Sequence, residues 1–211
     1  GNPLPNCHFT ADPNQPGCVS FGSSFTQESF AQSINIGEAV TQGVELAASW
    51  QFLPDWTISG NYTYSDSEQK SGADKGAQLT NTPEHMAFAR LQWDATDRLS
   101  MWFKGEYRGD RKRFTNRYEN LSAANKAVQD QVGDLKAYEV FHLGGAYRAS
   151  DNVTLTATIY NVFDKDFLKG SYYTTNTGAT SWTSDYIQSG RAVEGTLEEG
   201  RRLWLSATID F

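Results

Sequence analysis

Apolar side chains recur at every second position in seven separate stretches of this sequence, a period that a β-strand turns into one oily face. Val44, Leu46, Ala48, Trp50 and Phe52 alternate with Glu45, Ala47, Ser49 and Gln51. Trp56, Ile58, Gly60, Tyr62 and Tyr64 alternate with Thr57, Ser59, Asn61 and Thr63. Ala87 to Trp93, Leu99 to Tyr107, Phe141 to Tyr147, Val153 to Ile159 and Leu203 to Phe211 repeat the pattern. Each stretch is about ten residues, enough for one tilted strand to cross a bilayer. A helical period shows only weakly, over Ser122 to Lys136, where a short loop helix is expected.

The connections are of two kinds, and they alternate. Leu53-Pro54-Asp55, Asp94 to Asp97 and Arg148 to Asn152 are tight. About 66–85, 109–137 and 165–200 are long, polar and rich in Gly, Ser, Asn and Thr. Loops of such length are uncommon in compact domains. Tight turns at one end and long loops at the other are the habit of membrane-spanning barrels. Trp50, Trp56, Tyr62, Tyr64, Trp93, Tyr107 and Tyr147 stand near strand ends, where interfacial girdles form. A soluble β-sandwich also alternates, but has little use for three long loops on one edge. The expectation is therefore an all-β chain, a transmembrane antiparallel β-barrel segment of about seven strands. Those strands occupy 34–211, and 1–33 reads as an extracellular loop segment.

Composition removes other classes. No apolar run approaches the 18 residues of a membrane helix; the longest clean one is Met86 to Ala89. A net charge of −7, from 18 basic and 25 acidic residues, argues against a nucleic-acid binder. Aromatic residues at 13% and charged residues at 20% argue against disorder. The sequence opens on Gly1 with nothing resembling a leader, as expected of a mature product or a fragment. Cys7 and Cys18 lie in a Pro/Asn/Gly-rich segment, where a disulfide clipping an exposed loop is a better reading than a metal site with His8. With three histidines, no G-x-S-x-G elbow and no P-loop, no enzyme is expected; an outer-membrane protease or lipase is the enzymatic alternative. Asp164-Lys165-Asp166 reads as a charged strand end rather than a calcium site, and no metal site is expected.

Four stretches carry a family resemblance. They are Ile36 to Leu46, Asn81-Thr82-Pro83-Glu84-His85, Tyr160-Asn161-Val162-Phe163-Asp164-Lys165-Asp166-Phe167, and Gly200-Arg201-Arg202 opening the last strand. Phe211, a terminal aromatic on an amphipathic strand, resembles the signal read by the bacterial barrel-assembly machinery. Together they resemble the C-terminal third of TonB-dependent outer-membrane siderophore receptors, over about residues 34–211. The catecholate branch fits best, on Asp164 to Phe167, Ser184-Asp185-Tyr186 and Gly200 to Arg202.

The resemblance implies the last seven strands of a 22-stranded plugged barrel in the bacterial cell outer membrane, with loops extracellular. It implies import of a ferric siderophore with energy from TonB, iron entering only as part of the ligand and no cofactor. The implied partners are the N-terminal strands and plug domain of the same receptor, TonB through the missing N-terminal region, and outer-membrane lipid and lipopolysaccharide. No nucleic acid is implied. A passive porin-type channel or an adhesin is the alternative.

A ferric tris-catecholate is a trianion with aromatic faces, so its site needs cations and flat rings. Arg111, Lys112, Arg113 and Arg117 form one candidate group in the second long loop. Lipopolysaccharide phosphates would suit the same cations. Tyr172, Tyr173, Trp182, Tyr186 and Arg191 form a second group in the last loop. Glu45, Arg90, Lys104, Glu106 and Arg108 fall on the polar strand faces, and are expected to contact a plug domain or line water.

Overall fold

The structure, a computed structural model, describes residues 38–80, 82–187 and 200–210. The candidate disulfide Cys7–Cys18, the segment 1–33, Arg191 and Phe211 lie outside the described residues.

Seven strands make one antiparallel sheet: β1 (Ala39–Leu53), β2 (Trp56–Gln69), β3 (His85–Thr96), β4 (Leu99–Arg108), β5 (Tyr138–Ser150), β6 (Val153–Tyr160) and β9 (Arg202–Ile209). Their order in the sheet is β1-β2-β3-β4-β5-β6-β9, so each lies beside its neighbour in the chain apart from a short hairpin inserted before β9. Short turns close β1–β2, β3–β4 and β5–β6 at one end. Each of these hairpins carries a register shift beside its turn, at Gln51/Leu53, Asp94/Thr96 and Arg148/Ser150. Backbone bonds link the turns sideways: Asp94 N–H to Asp55 O at 2.8 Å, Arg148 N–H to Arg98 O at 2.8 Å, and Asp210 N–H to Asn152 O at 3.0 Å.

Register decides what each face can touch, because residues directly opposite share a face. Trp50, Ile58, Leu91, Phe103, Leu143, Ile159 and Leu203 pair in succession, an apolar row running unbroken across all seven strands. Ser49, Ser59, Arg90, Lys104 and His142 form the adjacent row on the opposite face. The apolar row is uncovered: Leu203 is 60% exposed and Trp50 67%. A sandwich would bury that face under a second sheet, and among the described residues nothing does so. An oily face of this extent suits hydrocarbon, since soluble surfaces rarely carry apolar patches beyond a few hundred Å². The buried cluster of Tyr138, Val140 and Phe167, with Tyr186 against it, lies instead on the polar side of the sheet, where Tyr138 and Val140 pair with Arg108 and Glu106.

Aromatic residues mark both rims of the apolar band. Trp56 and Trp93 stack at 5.3 Å near the short-turn end. Near the long-loop end the Tyr62 hydroxyl and His85 Nδ1 are 2.7 Å apart.

Two features differ from expectation. β1 and β2 run for 15 and 14 residues, so β2 continues to Gln69 where a loop was expected from about 66. The extra pairs, such as Gln42 with Asp66, are polar, and a backbone ladder needs no oily side chains once it has left the lipid. The last long loop contains a further hairpin, β7 (Gly170–Thr174) and β8 (Thr180–Ser184), whose five-residue strands are too short to show a period. The expected loop helix is present as α1 (Ala123–Gln131); the Ser122 hydroxyl caps it by accepting from Asn125 N–H at 3.2 Å, and Gly133 follows its end at φ 80°.

Candidate ligand-binding loops and polar wall

The basic stretch after β4 is sorted by its own backbone. Arg111 and Leu135 exchange two backbone hydrogen bonds, at 3.0 and 2.9 Å, folding the β4–β5 loop into a narrow ribbon. Period-two geometry then sends Arg111 and Arg113 inward and Lys112 outward. Arg113 is 1% exposed. Its Nε donates to Gly133 O at 2.8 Å, and its Nη1 to Thr183 Oγ1 at 3.1 Å and Ser184 O at 2.9 Å. Burial lowers its pKa, opposed by the charges of Asp185 and Asp134. Arg111 donates to Tyr186 O at 2.7 Å and lies over the Tyr138 ring at 5.4 Å. These two arginines tie the β4–β5 loop to the β6–β9 loop.

Asp185, also 1% exposed, completes the tie. It accepts from Lys136 Nζ and Ser171 Oγ, each at 2.8 Å. Burial alone would raise its pKa; the Lys136 and Ser171 hydrogen bonds, with the Lys136 and Arg113 charges, outweigh that and hold it low.

Of the four cations in this stretch, Lys112 and Arg117 face solvent. Lys112 pairs with Asp134 at 2.8 Å, a hydrogen bond that raises its pKa despite some desolvation. Arg117 approaches Glu119 at 3.4 Å. Both line a cavity of about 380 Å³ between the β2–β3 and β4–β5 loops, with Phe114, Tyr118, Gln78 and Asp134. The last-loop aromatics divide. Tyr186 packs edge-on against Tyr138 and Phe167 with Lys165 over its ring, while Tyr172 and Trp182, opposite one another on the β7–β8 hairpin, are 76% and 46% exposed. Tyr173 is half-buried.

Asp74 latches that cavity. Its carboxylate accepts from Asn120 Nδ2 at 2.8 Å, Arg117 N–H at 2.9 Å and Asn116 Nδ2 at 2.6 Å. Nothing local in the sequence marks it, because its partners lie over 40 residues away. The Asn120 and Arg117 hydrogen bonds, with Asn116 and against a small desolvation penalty, lower its pKa. The latch is therefore complete above the usual aspartate range and is lost as pH falls through the lowered value. The protection factor of the Arg117 amide, with the intrinsic pH dependence of exchange divided out, should fall on acidification, and Asp74→Ala should show low protection at every pH. An unchanged pH profile in Asp74→Ala would show that Asp74 does not hold the loop.

The Tyr160–Phe167 motif has a mechanical role. Asn161 adopts φ 50°, and its side chain brackets the turn: Nδ2 donates to Lys165 O at 3.0 Å and Oδ1 accepts from Lys165 N–H at 2.8 Å. Asp164, at φ 54°, accepts from Arg201 N–H at 3.0 Å. The start of the last loop is thereby fastened to its return into β9.

All five expected inward charges fall on the polar face by register. Lys104 pairs with Glu106 at 3.2 Å, and Glu106 lies 3.7 Å from His142 Nε2. Arg90 lies over Trp102 at 5.1 Å and donates to Gln92 Oε1 at 3.0 Å. Glu45 stands on edge strand β1 and Arg108 at the loop end of β4.

Residues 9–162 match the family described as TonB dependent receptor-like, beta-barrel. The chain belongs to this family of bacterial outer-membrane receptors. It is 30% identical over 96% of its length to the iron-regulated outer membrane virulence protein of Vibrio cholerae, of which it covers 24%. The ferric enterobactin receptor of Pseudomonas aeruginosa is 32% identical over 62% of the chain and 17% of the receptor. A crystal structure of that receptor superposes with a TM-score of 0.60 at 28% identity, covering 84% of this chain and 23% of that one. The chain thus spans about a quarter of the length of its fuller relatives. The sheet is a segment of an outer-membrane barrel wall, its apolar face turned to lipid, its short turns periplasmic and its long loops extracellular.

Proposed function

We propose that the chain forms the C-terminal wall and part of the outer mouth of a receptor that imports a ferric catecholate siderophore with energy from TonB. The observation that carries this reading is the outer cavity, where Lys112 and Arg117 stand beside Phe114 and Tyr118. Cations beside flat rings suit an aromatic trianion. Receptors for ferric enterobactin and for catecholate siderophores are among the relatives. Asp164 to Phe167, Ser184 to Tyr186 and Gly200 to Arg202 resemble the colicin I receptor in particular. In the whole protein a plug domain fills the barrel, the remaining strands close it, and TonB acts through the N-terminal region. Arg111 and Arg113 serve this site as framework, holding the loops that carry Lys112 and Arg117. The exposed Tyr172 and Trp182 supply a second aromatic surface at the mouth.

Uptake of labelled ferric catecholate by cells carrying the full-length receptor tests the reading, with and without TonB. Uptake should require TonB. Lys112→Gln with Arg117→Gln should lower it several-fold at limiting ligand and little at saturation, an effect that shrinks with salt because focusing acts on the association rate. TonB-independent uptake would make the protein a passive channel. Unchanged uptake with a leakier outer membrane would give the cations to lipopolysaccharide.

A further inference from the structure

The polar wall carries more positive charge than its own carboxylates balance. Arg90, Lys104, Arg108, Arg148 and Arg202 face the lumen by register, against Glu45, Asp94, Glu106 and, one step past the end of β9, Asp210, in a chain whose net charge is −7. The imbalance is sharpest at Arg90. It sits directly opposite Lys104, a like-charge pairing that disfavours the sheet unless an anion stands nearby. Glu106 is taken up by Lys104 and His142. Arg90 has no ion pair among the described residues, and its Nε is buried without a hydrogen-bond acceptor.

The guanidinium is nevertheless held in place. It lies over Trp102, and Gln92, which accepts from it, is anchored in turn on Asp94 at 2.9 Å. Trp102 lies flat across β5 because residue 144 is glycine: a Cβ there would come within 2.4 Å of the indole. A cation fixed on an aromatic shelf loses little freedom when an anion arrives. Arg90 is five residues from the outer end of β3 and six from the periplasmic end, at mid-height of the wall. Whatever meets it must stand inside the barrel.

We propose that Arg90, shelved on Trp102 and flanked by Lys104, is the docking point for a carboxylate side chain of the domain that fills this lumen. This rests on the reading of the whole receptor as a plugged transporter. Charge complementarity selects an acidic segment over a neutral or basic one. A polar dock also suits an occupant that must loosen during transport, since a single charged contact can be exchanged for water.

Hydrogen–deuterium exchange on the full-length receptor, comparing wild type with Arg90→Gln and Arg90→Lys, tests the dock. In Arg90→Gln, peptides of the lumen-filling domain should exchange at least tenfold faster while the barrel strands keep wild-type protection; Arg90→Lys should recover most of the protection. Trp102→Phe, which narrows the shelf and keeps both charges, should give an intermediate acceleration. Unchanged exchange of that domain in Arg90→Gln, and in Arg90→Gln combined with Lys104→Gln, overturns the proposal. If exchange is unchanged but maximal uptake falls, the row serves anionic cargo in transit and the dock is again overturned. Uptake by the wild-type receptor reads the transport assignment separately, so a receptor that imports no ferric catecholate yet shows the exchange change loses its cargo assignment and keeps its dock.

Discussion

Leu205→Arg should destabilise the full-length receptor in a bilayer by about 2–4 kcal/mol, whereas Ser206→Arg should cost under about 1 kcal/mol. The two positions are neighbours on β9 with similar exposure in this sheet, so neither burial nor strand propensity separates them. Register does. Leu205 pairs with Ala157, which continues through Gly145 to Met101 on the lipid face, while Ser206 pairs with Thr156 and then Ala146 on the lumen face. An arginine at 205 must bring its charge into hydrocarbon or bend lipid headgroups toward it; at 206 it meets water and polar groups. Equilibrium unfolding of the receptor from lipid vesicles measures both. Equal costs at the two sites would contradict a wall with one face in lipid.

The second large effect belongs to the outer loops. Arg113→Ala should cost the loop cluster about 3 kcal/mol, because it leaves Thr183 and the carbonyls of Gly133 and Ser184 without their donor and takes from the neighbouring Asp185 one of its two cations, Lys136 remaining. Arg113→Lys should recover little, since an ammonium cannot span three acceptors that a planar fork reaches together. The loss should be local. Protease sensitivity and amide exchange should rise in the β4–β5 loop and the β7–β8 hairpin, with the transmembrane strands melting as in wild type. Wild-type protection of both loops in Arg113→Ala would show that the guanidinium is not what joins them. On the proposed function, capture of ferric siderophore by the full-length receptor should weaken alongside, because Lys112 is held on the same ribbon one residue away.

Much of the wall was legible before any tertiary contact was known. Strand number, the face each strand turns to lipid, the end with short turns and the positions of the rim aromatics follow from a period of two and from the spacing of Pro, Gly and Asp. The bilayer enforces that pattern, because a lipid-facing strand tolerates no charge and a one-residue slip would invert every side chain. Glu45, Arg90, Lys104, Glu106 and Arg108 could be placed on the polar face for the same reason. The polar extension of β2 was missed because no lipid constrains it.

The loops obey no such external rule, and there only the tertiary structure decided. In sequence Arg111, Lys112, Arg113 and Arg117 are one basic group; a backbone bridge to Leu135 makes two of them internal and leaves Lys112 and Arg117 at the cavity. Arg113 meets Thr183 70 residues away, and Asp74 meets Arg117 43 residues away. Short-range periodicity carries no trace of such pairings. Within one strand the membrane dictates the pattern locally, so the sequence by itself determined the wall. The mouth depends on which distant polar groups find one another once the strands have aligned, and that was decided by the fold.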